Sequence, residues 1–262
     1  MSGFLVMEVT MKYLGSKARF VKHLKPIIEE YLTEGVVYVE PFAGGCNLIC
    51  DIDHNVKIAN DYNKPLIECF KVLQGGWIPP KNITRECYNH YRNLYNKDSC
   101  PEDELHIMGY IGINGSYGGR WFDGGYAGIS TTKQGKLRNY PEEAFNNVMK
   151  QIPKLQGIEF HSVDYLNLDI PDKSVVYCDI PYKGTKEYRS AIKSGFCHDK
   201  FFDWCKNLTI NKGCTVLLSE YQAPSEWECI WEKSTTSSMR ANNVISGAKN
   251  SIERLFIYKG EN

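Results

Sequence analysis

Apolar and polar positions change period several times along this chain. Phe20, Leu24, Ile27, Ile28 and Tyr31 recur at helical spacing, which predicts an amphipathic helix over residues 17–32. Val36-Val37-Tyr38-Val39 follows as a β-branched run, closes at Glu40-Pro41 and gives way to Gly44-Gly45. That order predicts a buried strand, a tight turn and a helix from about Cys46. Lys57-Ile58-Ala59-Asn60 repeats the scheme and ends at Asp61, before a predicted helix over residues 65–73. Strand–turn–helix alternation marks an α/β protein with a parallel, doubly wound sheet.

The alternation stops at Gly75-Gly76. Residues 75–155 contain Pro79-Pro80, two predicted helices (about 84–97 and 103–113), a glycine-rich aromatic stretch, and a third helix opening at Pro141, a favoured first-turn residue. This span reads as an inserted, largely helical subdomain between residues 1–74 and 156–262, the two parts of one sheet domain. Strand-like runs resume at 158–161, 174–178 and 215–219, with a helix over about 198–212 before the last. Residues 228–232 and 254–258 look like two closing strands, joined by a polar loop from Ser234 to Asn250.

Composition narrows the reading. Basic and acidic residues balance at 31 each, so any polyanionic partner must be met by a local patch. No apolar run is long enough for a membrane span, and the start lacks a basic-then-apolar signal; a cytoplasmic protein with no membrane partner is expected. None of the ten cysteines forms a two-residue-gapped pair, and the six histidines lack ligand spacing, so reduced thiols and no metal are expected.

Candidate chemistry gathers at the ends of the strands, where open parallel sheets bind ligands. Glu40, Asp61 and Asp179 each close a predicted strand. Gly44 lets backbone approach a ligand closely, and Asp61 stands where a carboxylate commonly meets ribose hydroxyls. Phe42-Ala43-Gly44-Gly45-Cys46 lacks the three spaced glycines that seat a pyrophosphate. A nucleoside without a diphosphate fits better, and S-adenosylmethionine is the common one. In Val175-Val176-Tyr177-Cys178-Asp179-Ile180-Pro181-Tyr182 a buried strand runs into a carboxylate, a stiffening proline and an aromatic ring. Such an order suits an exocyclic amine of a nucleobase: Asp179 and the Ile180 carbonyl accept its hydrogen bonds, and the base stacks on Tyr182.

These motifs, in this order, resemble the Dam-like (alpha class) N6-adenine-specific DNA methyltransferases. Lys12-Tyr13-Leu14-Gly15-Ser16-Lys17 is similar to the family's N-terminal motif, Glu40-Pro41-Phe42-Ala43-Gly44-Gly45 to its cofactor loop, and Asn60-Asp61-Tyr62-Asn63 to its ribose-binding turn. Asp164-Tyr165 lies where the family often has an acid near the cofactor adenine. Asp179-Ile180-Pro181-Tyr182 matches the catalytic tetrapeptide, with Ile180 in place of a first proline, and Glu253-Arg254-Leu255-Phe256 resembles the final strand. The resemblance implies a Rossmann-like, S-adenosylmethionine-dependent methyltransferase sheet, mostly parallel with one antiparallel strand. It implies catalysis by Asp179, Pro181 and Tyr182. It implies cofactor binding by Tyr13, Lys17 (on the cofactor carboxylate), Glu40, Phe42, Ala43, Gly44, Asp61, Asp164 and Asp179. The expected substrate is adenine flipped from double-stranded DNA, with no obligate protein partner. By analogy the enzyme is a solitary one, acting in host cytoplasm if a virus of bacteria encodes it.

Residues 112–126 interleave glycine with aromatics. Between 112 and 140, Arg120, Lys133, Lys136 and Arg138 face one acid, Asp123, a local excess of positive charge suited to phosphates. By resemblance this insertion is the target-recognition region. Asn114 and Arg120 are candidates for base edges, with Lys133 and Arg138 for the backbone. Three other readings compete: an amine methyltransferase acting on RNA or protein glutamine, a catalytically impaired protein that binds cofactor and DNA without turnover, and a Rossmann-type oxidoreductase, which the glycine spacing disfavours.

Overall fold

A computed structural model describes residues 10–132, 134–182, 196–236 and 250–260. Seven strands form the main sheet: β1 (Tyr38–Glu40), β2 (Lys57–Asn60), β5 (Ile158–His161), β6 (Val175–Asp179), β7 (Thr215–Glu220), β8 (Trp227–Thr236) and β9 (Asn250–Tyr258), in the order β5-β2-β1-β6-β7-β9-β8. The first five run parallel, and β9 is antiparallel to both β7 and β8. The order reverses between β1 and β6, and ligands of doubly wound sheets bind in the crevice at such a switch point.

Alternate side chains of the central strands enter two different cores. Tyr38, Ala59, Tyr177, Leu217 and Leu255 face one side, with α1 (Val21–Glu29) and α2 (Lys64–Gln74). Val39, Ile58, Val176, Cys178, Val216 and Phe256 face the other, with α6 (His198–Lys212). Strands covered on both faces read as continuous apolar runs, which is why periodicity of two is hidden in β1 and β6. Asn63 caps α2, its side-chain oxygen accepting from the Leu66 amide at 3.3 Å. Gly213, at φ 63°, ends α6.

The inserted span holds α3 (Arg85–Lys97), α4 (Leu105–Asn114) and α5 (Tyr140–Gln151). It also carries an unforeseen hairpin of β3 (Ile129–Thr131) and β4 (Leu137–Asn139). Helix α4 is buried on nearly every side, and it lies directly on α2: a Cβ at Gly109 would stand 2.0 Å from the Pro65 carbonyl oxygen. Residues 75–155, expected to form an inserted subdomain, therefore share the core of the sheet.

Two expectations need correction. No helix begins near Cys46. That residue takes φ 54°, successive turns run on to Asp51, and buried Lys57 holds the carbonyls of Ile49 and Ile52 at 3.2 and 3.1 Å. The Ser234–Asn250 loop is partly strand, since β8 reaches Thr236 and β9 starts at Asn250; residues 237–249 lie outside the described residues. Among the described residues no helix is long and apolar enough to cross a membrane.

Candidate active site

The turn after β1 is tied to the end of β2. The Ala43 amide donates to the Asn60 carbonyl (2.8 Å), and the Gly44 amide to Asp61 Oδ2 (2.9 Å). Asp61 Oδ1 accepts from the Asn63 amide at 2.9 Å. Burial raises the Asp61 carboxyl pKa, while those two amides pull it down. Tyr13 lies across the turn: a Cβ at Gly44 or Gly45 would come within 2.7 Å of it, and Gly44 takes φ +48°. Only glycine meets both demands at position 44. Asn47 and Gln151 fasten the strap that carries Tyr13. Asn47 Nδ2 donates to Ser16 Oγ (2.7 Å) and to the Met11 carbonyl (3.1 Å); Gln151 Nε2 donates to the Gly45 carbonyl (2.8 Å) while its Oε1 accepts from the Met11 amide (3.3 Å).

Across the switch point, β6 delivers Asp179. Lys17 Nζ donates to its Oδ1 at 2.6 Å and stands 3.5 Å from Glu253 Oε1 on β9. The Tyr182 hydroxyl donates to the same Glu253 oxygen, and Lys17 Nζ lies 4.7 Å from the centre of the Tyr182 ring. Tyr182 meets the Tyr221 ring edge-on, with centroids 4.6 Å apart. Lys17, expected beside the cofactor carboxylate, thus holds two carboxylates of the protein. Burial alone would lower its pKa, but Asp179 and Glu253 outweigh that and raise it, so it stays an ammonium. Burial raises Asp179 despite Lys17, and Glu253 adds to the rise. Burial, with Asp179 and Glu253, pushes the Tyr182 phenol well up, so it remains a donor.

Backbone placement explains why Ile180 is compatible with this turn. Its side chain is buried in the core that holds Val39 and Phe201, which leaves only the main chain to meet a ligand. The Pro181 carbonyl accepts from His198 Nε2–H at 3.0 Å, so the first residue of α6 anchors the turn.

Glu40 ends β1 and is 3 % exposed. It accepts the Tyr38 hydroxyl at 2.8 Å, and burial lifts its pKa to about 8 against that bond. At neutral pH it is therefore mostly uncharged. The Phe42 ring joins Tyr165, Phe196 and Phe201 in an aromatic wall, at centroid distances of 5.2 to 5.9 Å. Asp164 caps the turn at Tyr165–Asn167, its Oδ1 accepting from the Leu166 amide at 3.0 Å.

The insertion departs from expectation more than the crevice does. Asn114 is buried at the end of α4 and donates to the Tyr110 carbonyl at 3.0 Å, so it offers no amide to a base edge. Trp121 and Phe122 pack with Tyr88 and Tyr95 in the interior. Arg120 is exposed, and Lys133 lies outside the described residues. Arg138 pairs in a fork with Glu143, through Nε at 2.9 Å and Nη2 at 2.5 Å, and lies over the Tyr140 ring. Lys12 joins the same Glu143 at 3.1 Å. Glu142 and Glu143 sit just past the basic window, in the acid-favouring first turn of α5, and reduce the excess positive charge read from the sequence.

Sequence reading missed Glu253 as a site residue. Its signal is its place at the head of Glu253-Arg254-Leu255-Phe256, the segment that resembles the family's final strand. Among the described residues no group of three or more His, Cys, Asp or Glu is placed to hold a metal ion.

Residues 13–223 match the family model of D12 class N6 adenine-specific DNA methyltransferases. The chain is similar to the Retron Ec67 DNA adenine methylase of Escherichia coli, 25% identical over 211 residues, covering 74% of this chain and 69% of that protein. It is also similar to the DNA adenine methylase of two Vibrio cholerae serotype O1 strains, 23% identical over 269 residues, covering 94% and 93%.

Proposed function

This chain belongs to the D12 class of N6 adenine-specific DNA methyltransferases, and we propose that it transfers the methyl group of S-adenosylmethionine to N6 of adenine turned out of double-stranded DNA. The observation that carries the reading is the meeting of two half-sites at one switch point: the glycine turn with Asp61 after β1 and β2, and Asp179 at the end of β6. S-adenosylmethionine, when bound, supplies an electrophilic methyl on a sulfonium sulfur. The residues suit such a nucleoside. A carboxylate has about four lone-pair sites, so Asp61 keeps acceptors for hydroxyls beyond the two amides it holds. Phe42 and Tyr165 form an apolar wall for a purine, and the turn at Gly44 leaves backbone close to the crevice.

Asp179 and the Ile180 carbonyl act on the target amine. Its lone pair is delocalised into the ring, and two accepted hydrogen bonds favour a tetrahedral nitrogen with that pair available for the methyl. Positive charge then grows on nitrogen, and the Asp179 carboxylate stabilises it. With the donor bound, the nitrogen lone pair would take the methyl as the methyl–sulfur bond broke and left a neutral thioether; one N6 proton would then leave, and Asp179, raised by burial, is a ready acceptor. Adenine inside a duplex cannot reach this recess, so it is flipped out at a cost of a few kcal/mol; stacking on Tyr182 offsets about 1–3 kcal/mol. We assign phosphate contacts to Arg120, Lys133, Lys136 and Arg138.

Asp179→Ala tests the reading on mixed-sequence unmethylated DNA, with labelled donor and digestion to nucleosides. Turnover should fall at least ~100-fold, with cofactor affinity nearly kept. Full methylation by the variant, or N4-methylcytosine as the product, would refute it.

A further inference from the structure

Glu253 lies outside the span matched to the family, on β9, 74 residues beyond Asp179 in the chain (253 − 179). It is 4 % exposed. Burying a carboxylate inside a strand is costly unless it is paired, and both partners found here, Lys17 and Tyr182, belong to the catalytic cluster. We propose that Glu253 is a positioning residue for methyl transfer: it shares the Lys17 ammonium, leaves Asp179 able to take the substrate amine, and fixes the Tyr182 ring through its hydroxyl. The inference rests on the methyltransferase reading above.

Charge accounting gives the physical reason. With Lys17 on Asp179 alone, ammonium and carboxylate would cancel beside a nitrogen that turns positive. A second carboxylate 3.5 Å from the same ammonium leaves the cluster one negative charge in excess. Coulomb energies in a partly dry site are several times those in water, so that excess acts where charge develops. The closed ring of contacts also makes the geometry mutual, since Asp179 and Tyr182 are three residues apart in one turn and both are held by the Lys17–Glu253 pair. Among the described residues, Asp179 also acts electrostatically on Glu40 from β1 and Tyr177 from β6, and neither is a cation.

Glu253→Gln keeps the shape and an acceptor for Tyr182 but removes the charge. Single-turnover methyl transfer from labelled S-adenosylmethionine to mixed-sequence DNA should slow by about 10- to 100-fold, with cofactor Kd changed by less than about threefold. The acidic limb of the rate–pH profile should move to lower pH, because Glu253 is one cause of the raised Asp179 pKa. A Glu253→Asp variant keeps the charge, so its acidic limb should stay near the wild-type position even where reach is lost. An unchanged Glu253→Gln rate and limb would overturn the inference. So would a rate lost together with thermal stability while the limb stays in place, which is the mark of a packing role. An Asp variant whose limb moves as far as that of the Gln variant would overturn it too. Wild type that forms no N6-methyladenine in this assay sinks the underlying reading instead.

Discussion

Replacing Glu40 by Gln should make the protein progressively more stable than wild type as pH rises. Glu40 ends β1 at 3 % exposure, and its carboxyl is raised from 4.5 to about 8, first by burial and further by Asp179, with the Tyr38 hydroxyl and Lys57 opposing. Below the unfolded value both states hold the proton. Between the two values the unfolded chain has released it and the folded chain has not, so the folded state binds more protons and stability falls as pH climbs. From those two values the penalty is about 1 kcal/mol near pH ~5 and about 5 kcal/mol near pH ~9, a growth of about 4 kcal/mol. Gln keeps an acceptor for the Tyr38 hydroxyl and carries no titration. Urea midpoints of the two proteins, followed by circular dichroism across this range, measure the gap directly. A gap that is constant with pH, or that narrows as pH rises, would refute the reasoning.

Lys17→Met leaves Asp179 and Glu253 facing each other without their shared ammonium; stability should drop by about 3–5 kcal/mol at neutral pH and recover toward acid as Asp179, already raised by burial, takes a proton, and thermal midpoints at two pH values check both signs. Gly109→Ala drives a methyl into the Pro65 carbonyl, 2.0 Å from its ideal position, and should cost about 3 kcal/mol or more. Gly75→Ala, whose nearest neighbours stand at 3.5 Å, should cost less than ~1 kcal/mol in the same melts. Gly44→Ala collides with the Tyr13 ring at a positive φ, so cofactor affinity measured by calorimetry should weaken at least ~10-fold with little change in DNA binding. If Arg120 meets a phosphate, Arg120→Ala lowers the slope of log binding constant against log salt by about 0.9; an unchanged slope removes it from the interface.

Sequence alone determined the parts of this protein that depend on neighbours along the chain. The apolar runs of β1, β6 and β7 announced strands, since burial on both faces selects such runs. Pro141 marked the start of a helix through its own backbone chemistry. The ordered set of turn motifs was enough to place the chain in its family and to put Asp61 and Asp179 at the ends of parallel strands. Tertiary structure decided which charges meet. Lys17 and Asp179 are 162 residues apart, and Tyr182 and Glu253 are 71 apart; no period or spacing encodes either pairing. It also decided that Asn114, Trp121 and Phe122 go inward, because α4 is covered on nearly every side, and that Cys46 starts turns instead of a helix, because Lys57 from the next strand takes the carbonyls a helix would have used. Local sequence sets what a segment can form, but the partner that satisfies a buried polar group comes from wherever the fold brings the chain back.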